Sequence, residues 1–246
     1  MIRLGLIGKD ISYSFSKTYF TEKFRAEKRP FSYENFDLKD ISEFKPLVDD
    51  HNDILGFNVT IPYKEAIIPY LDKLDAKAKK IGAVNTITVA FSGKLKGYNT
   101  DCYGFKKSIK PFLKSHHKKA LILGTGGASK AIAYTLKKLK IDFDYVSRTP
   151  KPKVKFTYES LSVEDIKVYQ IIINSTPLGT FPDVNSCPDI PYDGITEQHL
   201  LYDLIYNPEE TKFLKTGKAQ GAAISNGYQM LIYQAEKAWR IWNATL

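Results

Sequence analysis

The stretch Ala120-Leu121-Ile122-Leu123-Gly124-Thr125-Gly126-Gly127-Ala128 decides the fold. An apolar strand ends at Gly124, glycine returns at 126 and 127, and a helical pattern opens at Ala128. In a strand-to-helix turn of this kind the glycines let the backbone approach a pyrophosphate, and the first amides of the helix point at it. Gly124 and Gly126 suit the tight turn and the close approach, while Gly127 and Ala128 leave room for helix–strand packing. Glycine spacing by itself is common, and its place between an apolar run and a helical pattern gives it meaning.

Downstream the pattern predicts a helix over 128–139, a strand over 143–147, and later strands over 169–174 and 200–204, the order of a Rossmann-like doubly wound unit. The segment 179–194, with Pro182, Pro188 and Pro191, reads as a long surface loop. In an NAD site an acidic residue is expected about 20 positions past the loop, on the ribose hydroxyls. Here the strand tip reads Tyr145-Val146-Ser147-Arg148-Thr149, with Arg148 lying 148 − 124 = 24 positions past the first glycine. A guanidinium fork suits a phosphate, and the Ser147 and Thr149 hydroxyls add donors, so NADP is favoured over NAD. Lys151 and Lys153 read as solvated loop lysines, and Asp144, the acidic counter-candidate, lies inside the strand.

Upstream, 2–7 reads as a buried strand, 16–28 as a helix carrying Tyr19, Phe20 and Phe24 on one face, 31–36 as a strand, 41–49 as a helix and 54–59 as a strand. That alternation implies a largely parallel sheet. Short helices are expected around 64–70 and 76–81, then a β-branched strand over 84–89 that turns at Ser92-Gly93-Lys94 into 95–98. A linking helix over 103–113 and the basic stretch 114–119 mark a boundary. The expected architecture is α/β with two domains. Residues 1–102 and 225–246 form a substrate-binding domain with a mainly parallel sheet, and 103–224 form the Rossmann-like NADP-binding domain. A C-terminal helix over 225–242 packs back on the first domain.

Composition narrows the function classes. The 246 residues suffice for one large domain or two modest ones, and 43% hydrophobic with 26% charged residues exclude disordered and fibrous chains. Basic residues outnumber acidic ones by 36 to 27. The lysines are scattered without a basic helix or an RNA-binding aromatic motif, so the charge reads as a solvated surface and not a nucleic-acid footprint. Such a field still favours anionic small molecules. Cys102 and Cys187 lack the spacing of a metal site or a disulfide framework, so no metal is expected and cytoplasmic residence is. The apolar opening is too short for a signal peptide, and no apolar run reaches the roughly 18 residues of a membrane span. The expected partners are small molecules, with no nucleic acid and no membrane, and the chain acts as a monomer or homodimer.

Several polar residues fall at predicted strand ends, where α/β proteins bind ligands. Lys64 follows Pro62 just past the strand 54–59, and Asp101 precedes the helix 103–113. Taken singly, Lys64 is a surface lysine and Asp101 a helix cap. Asn58, Thr60, Asn85 and Asn99 change that reading, because amides and hydroxyls at successive strand ends suit a polyhydroxylated ligand. Ser12, Ser14 and Ser16 alternate after the first strand, so in an extended segment their hydroxyls share one side, ahead of a helix N-terminus that favours an anion. A carboxylate fits there, and a helix cap at Ser14 or Ser16 is compatible with it.

With these residues in place, the chain resembles the shikimate dehydrogenase family over essentially its whole length. The matching segments are Ser14-Phe15-Ser16, Asn58 to Lys64, Gly82 to Thr86, Asn99-Thr100-Asp101, Gly124 to Ala128, Ser147-Arg148-Thr149, Asn174 to Gly179, Asp203 to Pro208 and Met230 to Gln234. The resemblance implies reversible, NADPH-dependent reduction of 3-dehydroshikimate to shikimate in aromatic amino-acid biosynthesis. It implies Lys64 and Asp101 as the catalytic pair and Ser14 and Ser16 on the substrate carboxylate. Thr60, Asn85, Asp101, Tyr206 and Gln234 would address the ring hydroxyls, with Asn58 and Asn99 also in the substrate site. Gly124, Thr125, Gly126, Gly127, Ala128, Ser147, Arg148, Thr149, Thr176 and Gly227 would bind the cofactor.

Three departures from the family pattern stand out. Lys17, Tyr19 and Phe20 replace a proline and a His-Asn pair, so the first helix is expected to begin or pack differently. Ser147 replaces an Asn, which is expected to weaken adenosine contacts without removing the Arg148 grip. Gln229 stands where a second glycine is usual, losing a position that takes φ > 0 freely, with a consequence expected on the nicotinamide side. Alternative readings are a quinate/shikimate dehydrogenase of relaxed cofactor choice and a non-catalytic dinucleotide-binding relative; retention of both Lys64 and Asp101 argues against the second.

Overall fold

Two six-stranded sheets organise the chain. The computed structural model describes residues 2–12 and 14–245. It divides into two compact units, Met1–Thr100 with Ala235–Leu246, and Asp101–Gln234. The boundaries expected from sequence, 102/103 and 224/225, stand beside divisions at 100/101 and 234/235.

The first unit contains β1 (Ile2–Gly8), α1 (Phe15–Ala26), β2 (Phe31–Asp37), α2 (Phe44–Asp49), β3 (Ile54–Val59), β4 (Lys73–Leu74), α3 (Ala76–Ile81), β5 (Thr86–Val89) and β6 (Leu95–Tyr98). Its sheet runs β2-β1-β3-β5-β6-β4. β1 is parallel to β2 and β3, and β5 is antiparallel to both β3 and β6. Ile7, Phe44, Phe57, Val59, Ile67, Val84 and Ile87 form one core cluster. A second joins Leu4, Leu6, Phe20, Phe24 and Tyr33 to Ala235, Ala238, Trp239 and Trp242. These last four repeat at helical spacing, the stripe a helix buries, and the Trp242 indole donates to the Ile87 carbonyl at 2.9 Å. The C-terminal helix thus does pack on the first sheet.

The second unit contains α4 (Asp101–Ile109), β7 (Lys119–Leu123), α5 (Gly127–Lys138), β8 (Asp142–Ser147), β9 (Phe156–Thr157), α6 (Val163–Val168), β10 (Ile171–Asn174), β11 (Leu200–Asp203), α7 (Lys212–Ala219) and β12 (Ala223–Ser225). Helix α8 (Tyr228–Asn243) begins in this unit and ends in the first. The sheet order is β12-β11-β10-β7-β8-β9, and every pairing is parallel. Both faces are covered, as a parallel sheet requires: Ala120, Ile122, Ile171 and Ile173 enter one cluster, Leu121, Leu123 and Ile172 the other.

Some elements differ from the sequence expectation. No α-helix forms over 64–70; turns lead into a single 3-10 turn at Ile68–Tyr70, with Pro69 at its start. The 103–113 helix begins at Asp101 and ends at Ile109, where Pro111 tightens the chain into a 3-10 turn. Ser225 closes β12, and α8 starts only at Tyr228. Among the described residues no helix is long and apolar enough to cross a membrane.

Candidate active site

In the first unit the site residues gather past β1 and β3. Ser14 caps α1, its hydroxyl accepting from the Lys17 amide at 3.4 Å. The serine alternation ends there: α1 starts at Phe15, so Ser16 is helical and buried while Ser12 is exposed. Tyr13, between them, lies outside the described residues. Ser16 stands beside the buried Tyr33 hydroxyl, whose ionisation burial pushes strongly up against the opposing pull of that serine.

Tyr33 donates onward to Asn58 Oδ1 at 2.8 Å. Asn58 Nδ2 donates to the Asn85 carbonyl at 3.1 Å and to Thr86 Oγ1 at 3.3 Å. Asn85 then grips Thr100 twice: Oδ1 accepts the Thr100 amide at 2.7 Å, and Nδ2 donates to Thr100 Oγ1 at 3.0 Å. Asn99 Nδ2 donates to the Ala83 carbonyl at 3.0 Å. These three asparagines are buried and hold backbone in place, the requirement any buried amide must meet.

Thr60 and Lys64 lie on a turn fastened at several points. The Thr60 amide donates to the Ile7 carbonyl at 2.8 Å, and its carbonyl accepts from Tyr63 at 2.9 Å. The Tyr63 hydroxyl donates to the Leu38 carbonyl at 2.7 Å. The Lys64 carbonyl accepts from the Val84 amide at 2.7 Å, and the lysine itself is half-buried. Val84 and Asn85 are consecutive, so one dipeptide holds both Lys64 and Thr100, the residue before Asp101.

In the second unit Asp101 is buried and opens α4. Gly124 takes φ +101°, and a Cβ there would meet Ser175 Oγ at 3.0 Å and Thr176 Cγ2 at 3.1 Å, so only glycine keeps this turn open. Gly126 caps α5 with no side-chain partner, and a Cβ on it would meet nothing within 4 Å. The α5 amides, starting at Gly127 and Ala128, therefore open onto space suited to an anion. Thr125 lies beside Lys151, Nζ to Oγ1 at 3.4 Å.

Past β8, the Ser147 hydroxyl donates to the Thr149 carbonyl, shaping the turn that leaves Arg148 and Thr149 exposed. Ser147 is thus tied to its own turn. Burial pushes the Tyr158 hydroxyl up to about 12, against the pull of the Arg148 charge. Asp144 is committed elsewhere: it accepts from the Tyr169 hydroxyl at 2.5 Å and from Lys155 at 3.2 Å. No acidic side chain replaces Arg148 at the strand tip.

Thr176 donates through both its amide and hydroxyl to Asn174 Oδ1, at 3.0 and 2.7 Å. Tyr206 is half-buried, and burial raises its hydroxyl pKa. Gln234 is buried against α4, its Cβ 3.0 Å from where a Gly104 Cβ would stand. The Gly227 amide donates to the Ile205 carbonyl at 2.9 Å, and a Cβ there would sit 2.0 Å from the Leu204 carbonyl oxygen. Gln229 lies within α8, so this chain has no positive-φ requirement at that position, and the expected nicotinamide-side consequence has no backbone basis. Tyr33, Asn174 and Asp203 were given no role by sequence; their signal, a polar residue inside an apolar strand, is visible only once burial is known.

A glycine turn after the first strand of a wholly parallel sheet, an uncapped helix facing it, and an arginine at the next strand's tip define a two-unit α/β protein with a Rossmann-like, dinucleotide-binding second unit. Residues 6–87 match the shikimate dehydrogenase substrate binding domain family. A shikimate dehydrogenase (NADP(+)) of Clostridium botulinum is 42% identical over 252 residues, covering 98% of this chain and 96% of the relative. The crystal structure of shikimate 5-dehydrogenase from Thermus thermophilus in complex with NADP(H) and shikimate superposes with a TM-score of 0.88 at 28% identity, covering 99% of this chain and 94% of that one. Quinate dehydrogenase from Corynebacterium glutamicum in complex with NAD gives 0.87 at 26% identity, covering 99% and 94%. The chain belongs to the shikimate dehydrogenase family.

Proposed function

We infer that this chain is an NADP-dependent shikimate dehydrogenase, an oxidoreductase that interconverts shikimate with 3-dehydroshikimate in aromatic amino-acid biosynthesis. The observation that carries the reading is the Val84-Asn85 dipeptide, which fastens Lys64 through its carbonyl and Thr100, next to Asp101, through its amide and hydroxyl. Braced backbone beside an ammonium and a carboxylate supports a role for the two in handling a proton.

Bound NADP supplies the hydride acceptor for oxidation and, reduced, the donor for the reverse. The open Gly124 to Ala128 turn would hold its pyrophosphate, and the exposed Arg148 and Thr149, on the turn that Ser147 shapes, would hold its 2′-phosphate; Thr176 and Gly227 would line the rest of the cofactor site. The commitment of Asp144 to Tyr169 and Lys155 supports NADP over NAD. Lys64 takes the hydroxyl proton as the ring carbon gives up its hydride, and Asp101 addresses the ring hydroxyl. Ser14 and Ser16 hold the substrate carboxylate, and Thr60, Asn85, Tyr206 and Gln234 address ring hydroxyls. Asn58 and Asn99 brace that wall. Two thiols, Cys102 and Cys187, suit the reducing cytoplasm.

Product analysis tests this. Incubation of 3-dehydroshikimate with NADPH should yield shikimate in equal amount to the cofactor consumed. NADPH stable in the presence of folded protein, or consumed without shikimate, would contradict the reading.

A further inference from the structure

At the carboxyl ends of β7, β10 and β11 three residues stand in register, Leu123 beside Asn174 and Asn174 beside Asp203. Parallel α/β sheets bind ligands just outside such ends, where the strand order reverses. The order β12-β11-β10-β7-β8-β9 puts that point between β10 and β7. Asn174 and Asp203 are both fully buried. Their hydrogen bonds run outward into the loops. Asp203 Oδ1 accepts from Asn174 Nδ2 at 3.1 Å and from the Ile205 amide at 3.0 Å, while Oδ2 accepts from Thr211 Oγ1 at 2.7 Å. Asn174 Oδ1 carries the chain on to Thr176, whose methyl walls the Gly124 turn. Ile205 precedes Tyr206, and its carbonyl accepts from Gly227.

We propose that Asp203 is a positioning residue that sets two ligand-facing loops at once, the Thr176 wall through Asn174 and the backbone carrying Tyr206 through Ile205. This rests on the assignment of Thr176 to the cofactor and Tyr206 to the substrate. A carboxylate suits the task because it only accepts, with lone pairs enough for all three donors. Asparagine keeps one acceptor oxygen, for Asn174 and Ile205, and its amide can face the rotatable Thr211 hydroxyl. Alanine loses every bond.

The test compares Asp203→Ala, Asp203→Asn and Tyr202→Phe in the full chain. Tyr202 is the neighbouring buried residue of β11 but bonds Ser108, at 2.6 Å, so its variant reports lost stability alone. Asp203→Ala should raise both the Kd for NADP, titrated without substrate, and the KM for shikimate about tenfold, roughly the loss of one organised hydrogen bond each. Asp203→Asn should restore both to within about threefold, and Tyr202→Phe should lower Tm and leave both constants alone. A lowered Tm in Asp203→Ala with both constants within about twofold of wild type would overturn the proposal, as would equal changes in Tyr202→Phe. Should Asp203→Ala not fold, Asn174→Ala cuts the Thr176 branch alone: NADP Kd rises about tenfold with the shikimate KM unchanged, and unchanged NADP affinity overturns the proposal. Failure of the underlying function shows separately, as wild-type protein that turns over no shikimate.

Discussion

The Tyr33 hydroxyl reaches over β1 to donate to Asn58 Oδ1 at 2.8 Å. Asn58 in turn donates to the Asn85 carbonyl, and the Asn85 side chain holds Thr100. A polar line therefore crosses the first sheet from Tyr33, beside the proposed carboxylate grip, to Thr100, the residue before Asp101, through buried side chains.

Tyr33→Phe isolates this link, because the ring keeps its stack on Phe20, 4.7 Å between centroids. The lost hydroxyl leaves Asn58 Oδ1 without that donor, at a cost of about 1–3 kcal/mol. Urea unfolding should show that loss, and steady-state kinetics should show KM for shikimate rising more than kcat falls. Unchanged stability and KM would mean the line is incidental.

Lys64→Ala removes the proposed proton carrier and leaves its backbone bond to Val84 intact. Turnover should fall about 10²–10⁴-fold, the usual contribution of acid/base help. NADP affinity should stay at the wild-type value. Turnover within a factor of about two would remove Lys64 from the chemistry.

Much of this frame was legible from residues alone, and the exceptions have physical causes. The Gly124 turn could be read because positive φ and close approach leave few residues acceptable, and β7 and β10 because strands buried on both faces are uniformly apolar. The short strands β4, β9 and β12 were invisible: two or three residues carry no period, and pairing with a sheet edge decides them. Helices α6 and α7 did leave a local signal, the Ser162–Asp165 capping box and the Thr211 cap, in stretches too short for periodicity. The serine alternation misled because a cap at Ser14 turns the chain helical before the third hydroxyl. Asn58 looked like a ligand contact because an amide at a strand end reads the same whether it faces a substrate or braces a neighbour.

Arg148→Ala should cost NADP about ten- to a hundredfold in kcat/KM, the worth of a charge-assisted phosphate contact, and leave the value for NAD unchanged. The ratio of the two, measured with saturating shikimate, reads the effect directly. Equal losses with both cofactors would place Arg148 away from the 2′-phosphate.

Asp203 should make stability depend on pH. Burial raises its pKa to about 6, more than its bonds to Thr211, Ile205 and Asn174 lower it. The folded state therefore holds this proton more tightly than the unfolded chain, so its contribution is present below about pH 4 and is lost as pH rises through about 6. The wild-type minus Asp203→Asn difference in unfolding free energy should fall by about 3 kcal/mol at most over that range. Parallel curves for the two proteins would contradict the raised pKa.

The most direct measurement is absorbance at the reduced-nicotinamide band after purified protein is mixed with shikimate and NADP, with NAD and with quinate in parallel. Growth of the band with shikimate and NADP, and far less with either replacement, is the predicted result. No signal in any mixture from a folded protein, or a stronger one with quinate and NAD, would contradict the account.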